Sequence, residues 1–128
     1  MTSVFFIGLL VLMQIPLTIF VGYYRAKTGI RFFDGGDQVL LRRMRAHGNF
    51  TETVPISLLA MAAAEFSHMP HWILLAGGVC LVLGRLMHAV TLITIAWGMT
   101  RALGMVLTMI PMVVFGLWAL SHSLVWIF

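Results

Sequence analysis

The sequence predicts an all-α integral membrane protein, a bundle of four transmembrane helices, and three features carry that prediction. Charge is scarce: 61% of the 128 residues are hydrophobic and only 9% are charged, against about 25% charged in soluble domains. Charge is also segregated, being absent from Met1–Tyr24, from Phe66–Gly84 and from Ala102–Phe128. Each of these windows holds most or all of the roughly 20 apolar residues that a membrane-spanning helix needs. A fourth span must then come from the segment around Val39–Phe66.

The elements follow in order as one transmembrane domain over residues 1–128. Helix 1 is predicted from about Val4 to Tyr24, with Pro16 inside it and Tyr23 and Tyr24 at its interfacial end. It lacks the basic start and small-residue cleavage site of a signal peptide and reads as a retained helix. A polar loop follows, ending in the turn-rich Asp34-Gly35-Gly36-Asp37. Asp37 is placed to cap helix 2, expected over about Gln38–Phe66. The uncharged part of helix 2, Thr53–Ala64, is too short to span. The helix must therefore carry Glu52 and Asn49 into the membrane. Helix 3 is expected from Trp72 to about Trp97, and helix 4 from about Arg101 to Trp126 with Pro111 inside it.

Arg25, Lys27, Arg31, Arg42, Arg43 and Arg45 gather around loop 1, and Arg101 lies at loop 3. These loops share one side of a four-helix bundle. The positive-inside rule puts that side in the cytoplasm and both termini outside. The net charge of +4 is thereby accounted for by topology and anionic lipid headgroups. No nucleic-acid partner is called for.

Chemistry is expected where polar residues enter the apolar region, since such residues face a bundle interior or cavity and mark function. Arg45, Asn49 and Glu52 fall within a ~60° sector of helix 2. That stripe offers a guanidinium, an amide and a carboxylate in line, a set able to grip a zwitterionic ligand. An internal salt bridge or a solvated helix end is the bland alternative. Pro55 follows and removes a backbone hydrogen bond to Thr51. On helix 3, Arg85 and His88 lie one turn apart, ~18 and ~14 Å deep, and Glu52 lies ~15 Å deep. Arg85 or His88 is therefore expected to meet Glu52 across a helix interface, as part of a site or as a structural pair. Arg101 opens helix 4, where free N–H groups and the dipole already favour anions. It reads either as an anchor or as a group that would favour the thiolate of a bound thiol.

The remaining candidates are structural. His68, His71 and His122 lack metal-ligand spacing, so no metal is expected. Cys80 sits mid-span with no intrachain partner and reads as packing, as do the ten methionines. Gly77, Gly78 and Gly84 would allow close helix approach.

Helix 2 reads Arg45-Ala46-His47-Gly48-Asn49-Phe50-Thr51-Glu52-Thr53-Val54-Pro55, helix 3 contains Gly84-Arg85-Leu86-Met87-His88, and helix 4 opens Arg101-Ala102-Leu103-Gly104. These motifs resemble those of the MAPEG family, the membrane-associated proteins in eicosanoid and glutathione metabolism. The spacing from Arg85 to Arg101 is similar to that of its microsomal glutathione S-transferases. The resemblance implies a bacterial inner-membrane member assembled as a homotrimer, with glutathione bound between subunits at the cytoplasmic side. It implies that Arg45, Asn49 and Glu52 hold glutathione, that Arg85 and His88 line the same cleft, and that Arg25 adds a further contact. Arg101 would stabilise the thiolate that attacks a lipophilic electrophile arriving from the bilayer. The chain departs from the family pattern at Thr53, His88 and Leu92, where family enzymes carry tyrosines. The resemblance thus implies a glutathione transferase or peroxidase, or a non-catalytic lipid-binding scaffold on the same fold. A small proton-coupled exporter also has four helices, but helix 1 here has no acid, only Gln14 and Thr18.

Overall fold

The computed structural model describes residues 1–127. It holds four helices, α1 (Thr2–Thr28), α2 (Gln38–Phe66), α3 (His71–Thr94) and α4 (Met99–Ile127), and no strand among the described residues. Three of them, Thr2–Thr28, His71–Thr94 and Met99–Leu124, are long and apolar enough to cross a membrane. α2 matches them in length at 29 residues, but its arginines and glutamates leave it less apolar than the others. It packs against α1, α3 and α4, whereas α1 and α4 do not pack on one another. The protein is thus an all-α, multi-pass membrane protein in which the most polar helix, α2, packs against all three of the others.

The helix ends follow from local chemistry. α1 runs past Tyr24 to Thr28 and stops at Gly29, whose φ of 73° closes its N–H onto the Arg25 carbonyl. Asp37 caps α2, its Oδ1 accepting the N–H groups of Val39 at 2.8 Å and Leu40 at 2.9 Å. α2 ends in a Schellman motif: Met69 N–H reaches the Ala64 carbonyl and His68 N–H the Glu65 carbonyl, with His68 at φ 61°. Met69 and Ala64 are both buried there, which supplies the apolar contact that accompanies this cap.

α3 ends at Thr94, three residues short of the expected Trp97. The N–H groups of Ile95 and Ala96 both close on the Thr91 carbonyl, and Ala96 takes a φ of 69°, so the chain turns before the tryptophan. α4 accordingly begins at Met99, two residues before Arg101.

Buried Phe6, Leu10, Leu17, Phe50, Met61, Leu74, Leu81 and Phe115 belong to one core. Glycines on α3 let it approach its neighbours. The Cβ that Gly78 lacks would fall on the Phe6 ring, and that of Gly77 on Phe115. The tightest crossing joins Gly84 to Gly104, where a Cβ on either glycine would stand 2.8 Å from the other's carbonyl oxygen. α3 and α4 therefore meet backbone to backbone, a geometry that membrane bundles reach through small residues.

The end of the bundle farthest from loop 1 carries a contact that the sequence did not announce. The Glu65 carboxylate accepts the backbone N–H groups of Thr2 and Ser3 and the Ser3 hydroxyl. The chain's amino terminus lies 3.7 Å away, and Thr2 Oγ1 bonds to His71 Nδ1 at 2.7 Å. A carboxylate from α2 thus satisfies the free N–H groups at the start of α1 and suits its dipole.

Candidate functional site

The site is built around Arg85, which is 1% exposed and the largest fully buried side chain. Burying so large a cation in an apolar bundle is costly unless its donors are satisfied. All three guanidinium nitrogens are. Nε donates to Thr108 Oγ1 on α4 at 2.8 Å. Nη1 donates to Asn49 Oδ1 at 2.7 Å and to Thr53 Oγ1 at 2.8 Å, both on α2. Nη2 faces the Gly104 carbonyl and Met105 Sδ, each at 3.5 Å. Arg85 therefore ties three helices together, and the Gly84–Gly104 crossing next to it is what brings Thr108 and the Gly104 carbonyl within reach.

Every one of these partners is neutral. Among the described residues the one ion pair joins the amino terminus to Glu65, so no carboxylate meets Arg85. The expected contact from Arg85 or His88 to Glu52 is not formed. Its physical reason lies in the helix period. Asn49 and Thr53 stand one turn apart on the face turned to α3, and Glu52 lies ~60° round from Asn49 and ~100° from Thr53. Glu52 is exposed as a result, and so is Arg45.

The stripe is thus split. Asn49 is half-buried and turned inward, while Arg45 and Glu52 stand on the outside of the single chain, two helical turns apart. Both remain available to a ligand or a neighbouring molecule. Arg25 is half-buried; it donates to the Ile30 carbonyl at 3.2 Å and to Met44 Sδ at 3.2 Å, which holds it against α2 beside the residue preceding Arg45.

Arg101 sits in the first turn of α4, half-buried, with its guanidinium 4.6 Å from the Trp97 ring centroid. The indole face steadies the cation without neutralising it. His88 is buried against α4: a Cβ on Gly104 would stand 2.9 Å from its backbone nitrogen. The antiparallel pair α3 and α4 therefore places Arg101 one turn closer to loop 3 than the level of His88, and Arg85 one turn deeper.

Other arginines of the stripe end are structural. Arg43 donates to the Phe20 carbonyl at 3.0 Å and lies 4.6 Å over the Tyr24 ring. Arg42 reaches the Thr94 carbonyl at the end of α3 at 3.4 Å, where a cation suits the helix dipole.

Sequence reasoning missed Thr53 and Thr108. The signal for both was present: a hydroxyl four residues after Asn49, and a threonine inside an otherwise apolar span at a depth matching Arg85. Thr53 Oγ1 accepts from Arg85 and donates to the Asn49 carbonyl at 2.6 Å, so the residue that departs from the family tyrosine is part of the Arg85 network. No group of histidine, cysteine and acidic residues able to hold a metal occurs among the described residues.

Comparison with known proteins matches residues 3–121 to the model of the MAPEG family. The inner membrane protein YecN of Escherichia coli strain K12 is 31% identical over 88 residues, which are 69% of this chain and 67% of that protein. YecN of strain O6:H1 matches to the same extent. No solved structure matches.

Proposed function

Because the chain belongs to the MAPEG family, we propose that it is a membrane-bound glutathione transferase or peroxidase acting on lipophilic electrophiles at the cytoplasmic side of the bilayer. α2 crosses the membrane with the other three helices, the termini face outward, and loops 1 and 3 face the cytoplasm. Three copies assemble, and the outward-facing Arg45 and Glu52 of one chain line a cleft against the next. Arg45 takes a glutathione carboxylate and Glu52 the ammonium group. Asn49 donates through its amide NH2, because its Oδ1 is already engaged by Arg85. Arg25 completes the wall, with His88 buried behind it on α3. Arg101 stabilises the thiolate; the thiol proton leaves to water, and sulfur forms the new bond to the electrophile as its leaving group departs.

The observation that carries this reading is the buried Arg85 with neutral partners alone. A cation without a counter-anion leaves the site positive, and Arg101 and Arg45 add to it. An anion entering from the cytoplasm is the partner that such a field favours. Calorimetric titration of the detergent-purified protein with glutathione tests this. Saturable binding that is lost in Arg45→Ala and Glu52→Ala supports it, and no heat with either protein contradicts it.

One observation favours a second reading, a non-catalytic lipid-binding scaffold. The Thr53 hydroxyl commits its one proton to the Asn49 carbonyl while accepting from Arg85, so it cannot donate to a substrate as the hydroxyl of the family tyrosine would.

A further inference from the structure

Phe32 and Phe33, side by side in the connection between α1 and α2, are 80% and 84% exposed. Two adjacent rings left in water are an unfavourable arrangement, and the local backbone holds them there. Phe33 has a φ of 53°, a left-handed conformation that a residue with a bulky side chain rarely adopts. The next four residues, Asp34 to Asp37, close a tight turn in which Asp37 N–H donates to the Asp34 carbonyl at 2.9 Å. Gly35 and Gly36 supply the two positive φ values, 59° and 78°, that this turn needs.

The charges of the same loop are sorted. Its two acids turn to the backbone: Asp34 Oδ1 accepts Gly36 N–H, and Asp37 accepts from Val39, Leu40 and the Tyr24 hydroxyl. Lys27 and Arg31 stay exposed, and Arg31 shares with Arg25 and Gly29 the wall of an open concavity of about 390 Å³. The loop thus shows two rings and two cations outward, with its negative charge folded in.

The level of the loop is fixed by α1. A helix of 27 residues is ~40 Å long, against a hydrocarbon core of ~30 Å. Its last turns, after the charge-free run ends at Tyr24, therefore stand among lipid headgroups, and loop 1 begins there. Aromatic rings flanked by cations at that depth are the chemistry of an anionic membrane interface.

We propose that loop 1 is an interfacial anchor: Phe32 and Phe33 insert beneath the headgroups of an anionic leaflet, and Lys27 and Arg31 bind its phosphates. This stands independently of the glutathione reading. Association with a second copy through the same rings is the competing use of the surface.

The test uses the full chain in a Cys80→Ala background with a nitroxide on Phe32→Cys, reconstituted in vesicles of phosphatidylcholine with or without phosphatidylglycerol. In phosphatidylglycerol vesicles, relaxation by lipid-soluble oxygen should exceed relaxation by a water-soluble nickel chelate several-fold. That preference should fall in pure phosphatidylcholine, and also when Lys27→Glu and Arg31→Glu are combined. Nickel relaxation matching or exceeding oxygen relaxation in both vesicles would put the loop in water, and an oxygen preference equal in both would remove the anionic leaflet; either result overturns the proposal. A label shielded from both reagents, with dipolar broadening that unlabelled protein dilutes away, would also overturn it, since the rings would then be buried between copies.

Discussion

Arg85 on α3 donates to the side-chain oxygen of Asn49 on α2 at 2.7 Å, and this bond decides which end of the Asn49 amide is left for a ligand. With Oδ1 held by the guanidinium, only the NH2 group can face outward. On the proposed reading Arg85 is therefore a positioning residue: it would act on glutathione through Asn49 and through the positive potential of the bundle.

Replacing Arg85 by Met should remove the tie between three helices and leave Asn49 Oδ1 unpartnered, while Thr108 keeps only its bond to the Gly104 carbonyl. Bonds from a charged donor contribute about 1.5–3 kcal/mol each in water and leaving partners unsatisfied adds to the loss, whereas polar contacts inside membranes average nearer ~0.6 kcal/mol. A net loss of about 2–3 kcal/mol is expected, read as an earlier unfolding midpoint in an SDS titration. Thr53→Val removes one acceptor of this network and should cost about 1 kcal/mol in the same assay.

Glu52→Ala should behave oppositely. Glu52 is exposed and takes part in no ion pair within the described chain, so the unfolding midpoint should stay at the wild-type value. Glutathione binding, followed by calorimetry, should weaken at least tenfold. A shifted midpoint with unchanged binding would make the residue structural.

Gly104→Ala should separate α3 from α4, since the new methyl would meet the Gly84 carbonyl at 2.8 Å and the His88 nitrogen at 2.9 Å. Both obstacles are backbone, which cannot swing away. Overpacking of this kind costs about 1–3 kcal/mol. Thr108 would also move away from Arg85, so this variant should resemble Arg85→Met in the SDS titration.

Asp37 gives the loop-1 end a pH dependence. The Leu40 N–H above all, then the Tyr24 hydroxyl and the Val39 N–H, hold its carboxyl below the ordinary value of 3.8. A carboxyl lowered in the folded state contributes stability that is complete above its unfolded pKa and is lost as pH falls through the folded one. The cap of α2 should therefore be intact at neutral pH and weaken only in acid. Protection of the Val39 and Leu40 amides, measured relative to their intrinsic exchange rates, should fall as pH drops below the ordinary carboxylate range, and Asp37→Asn should abolish that acid response.

Much of this was legible in the sequence because lipid leaves a strong signature. Three charge-free runs announced three helices, Asp37 announced its cap, and the motifs around Asn49, Arg85 and Arg101 announced the family. What escaped the sequence depended on orientation. A ~60° sector contains Arg45, Asn49 and Glu52, but only a packed neighbour decides that Asn49 turns inward and Glu52 outward. The partners of Arg85 are threonines, which pattern reading passes over because a hydroxyl in an apolar helix usually bonds to its own backbone. Glu65 escaped for a related reason: its partners are N–H groups at the start of α1, more than sixty residues away in sequence.

The most direct test of the central claim is an ultraviolet difference spectrum of the detergent-purified protein titrated with glutathione near neutral pH, for wild type and Arg101→Ala. A saturable thiolate absorbance in the wild type that disappears in the variant is the expected result. A flat wild-type titration, or an equal signal from Arg101→Ala, would contradict the claim that this chain activates glutathione through Arg101.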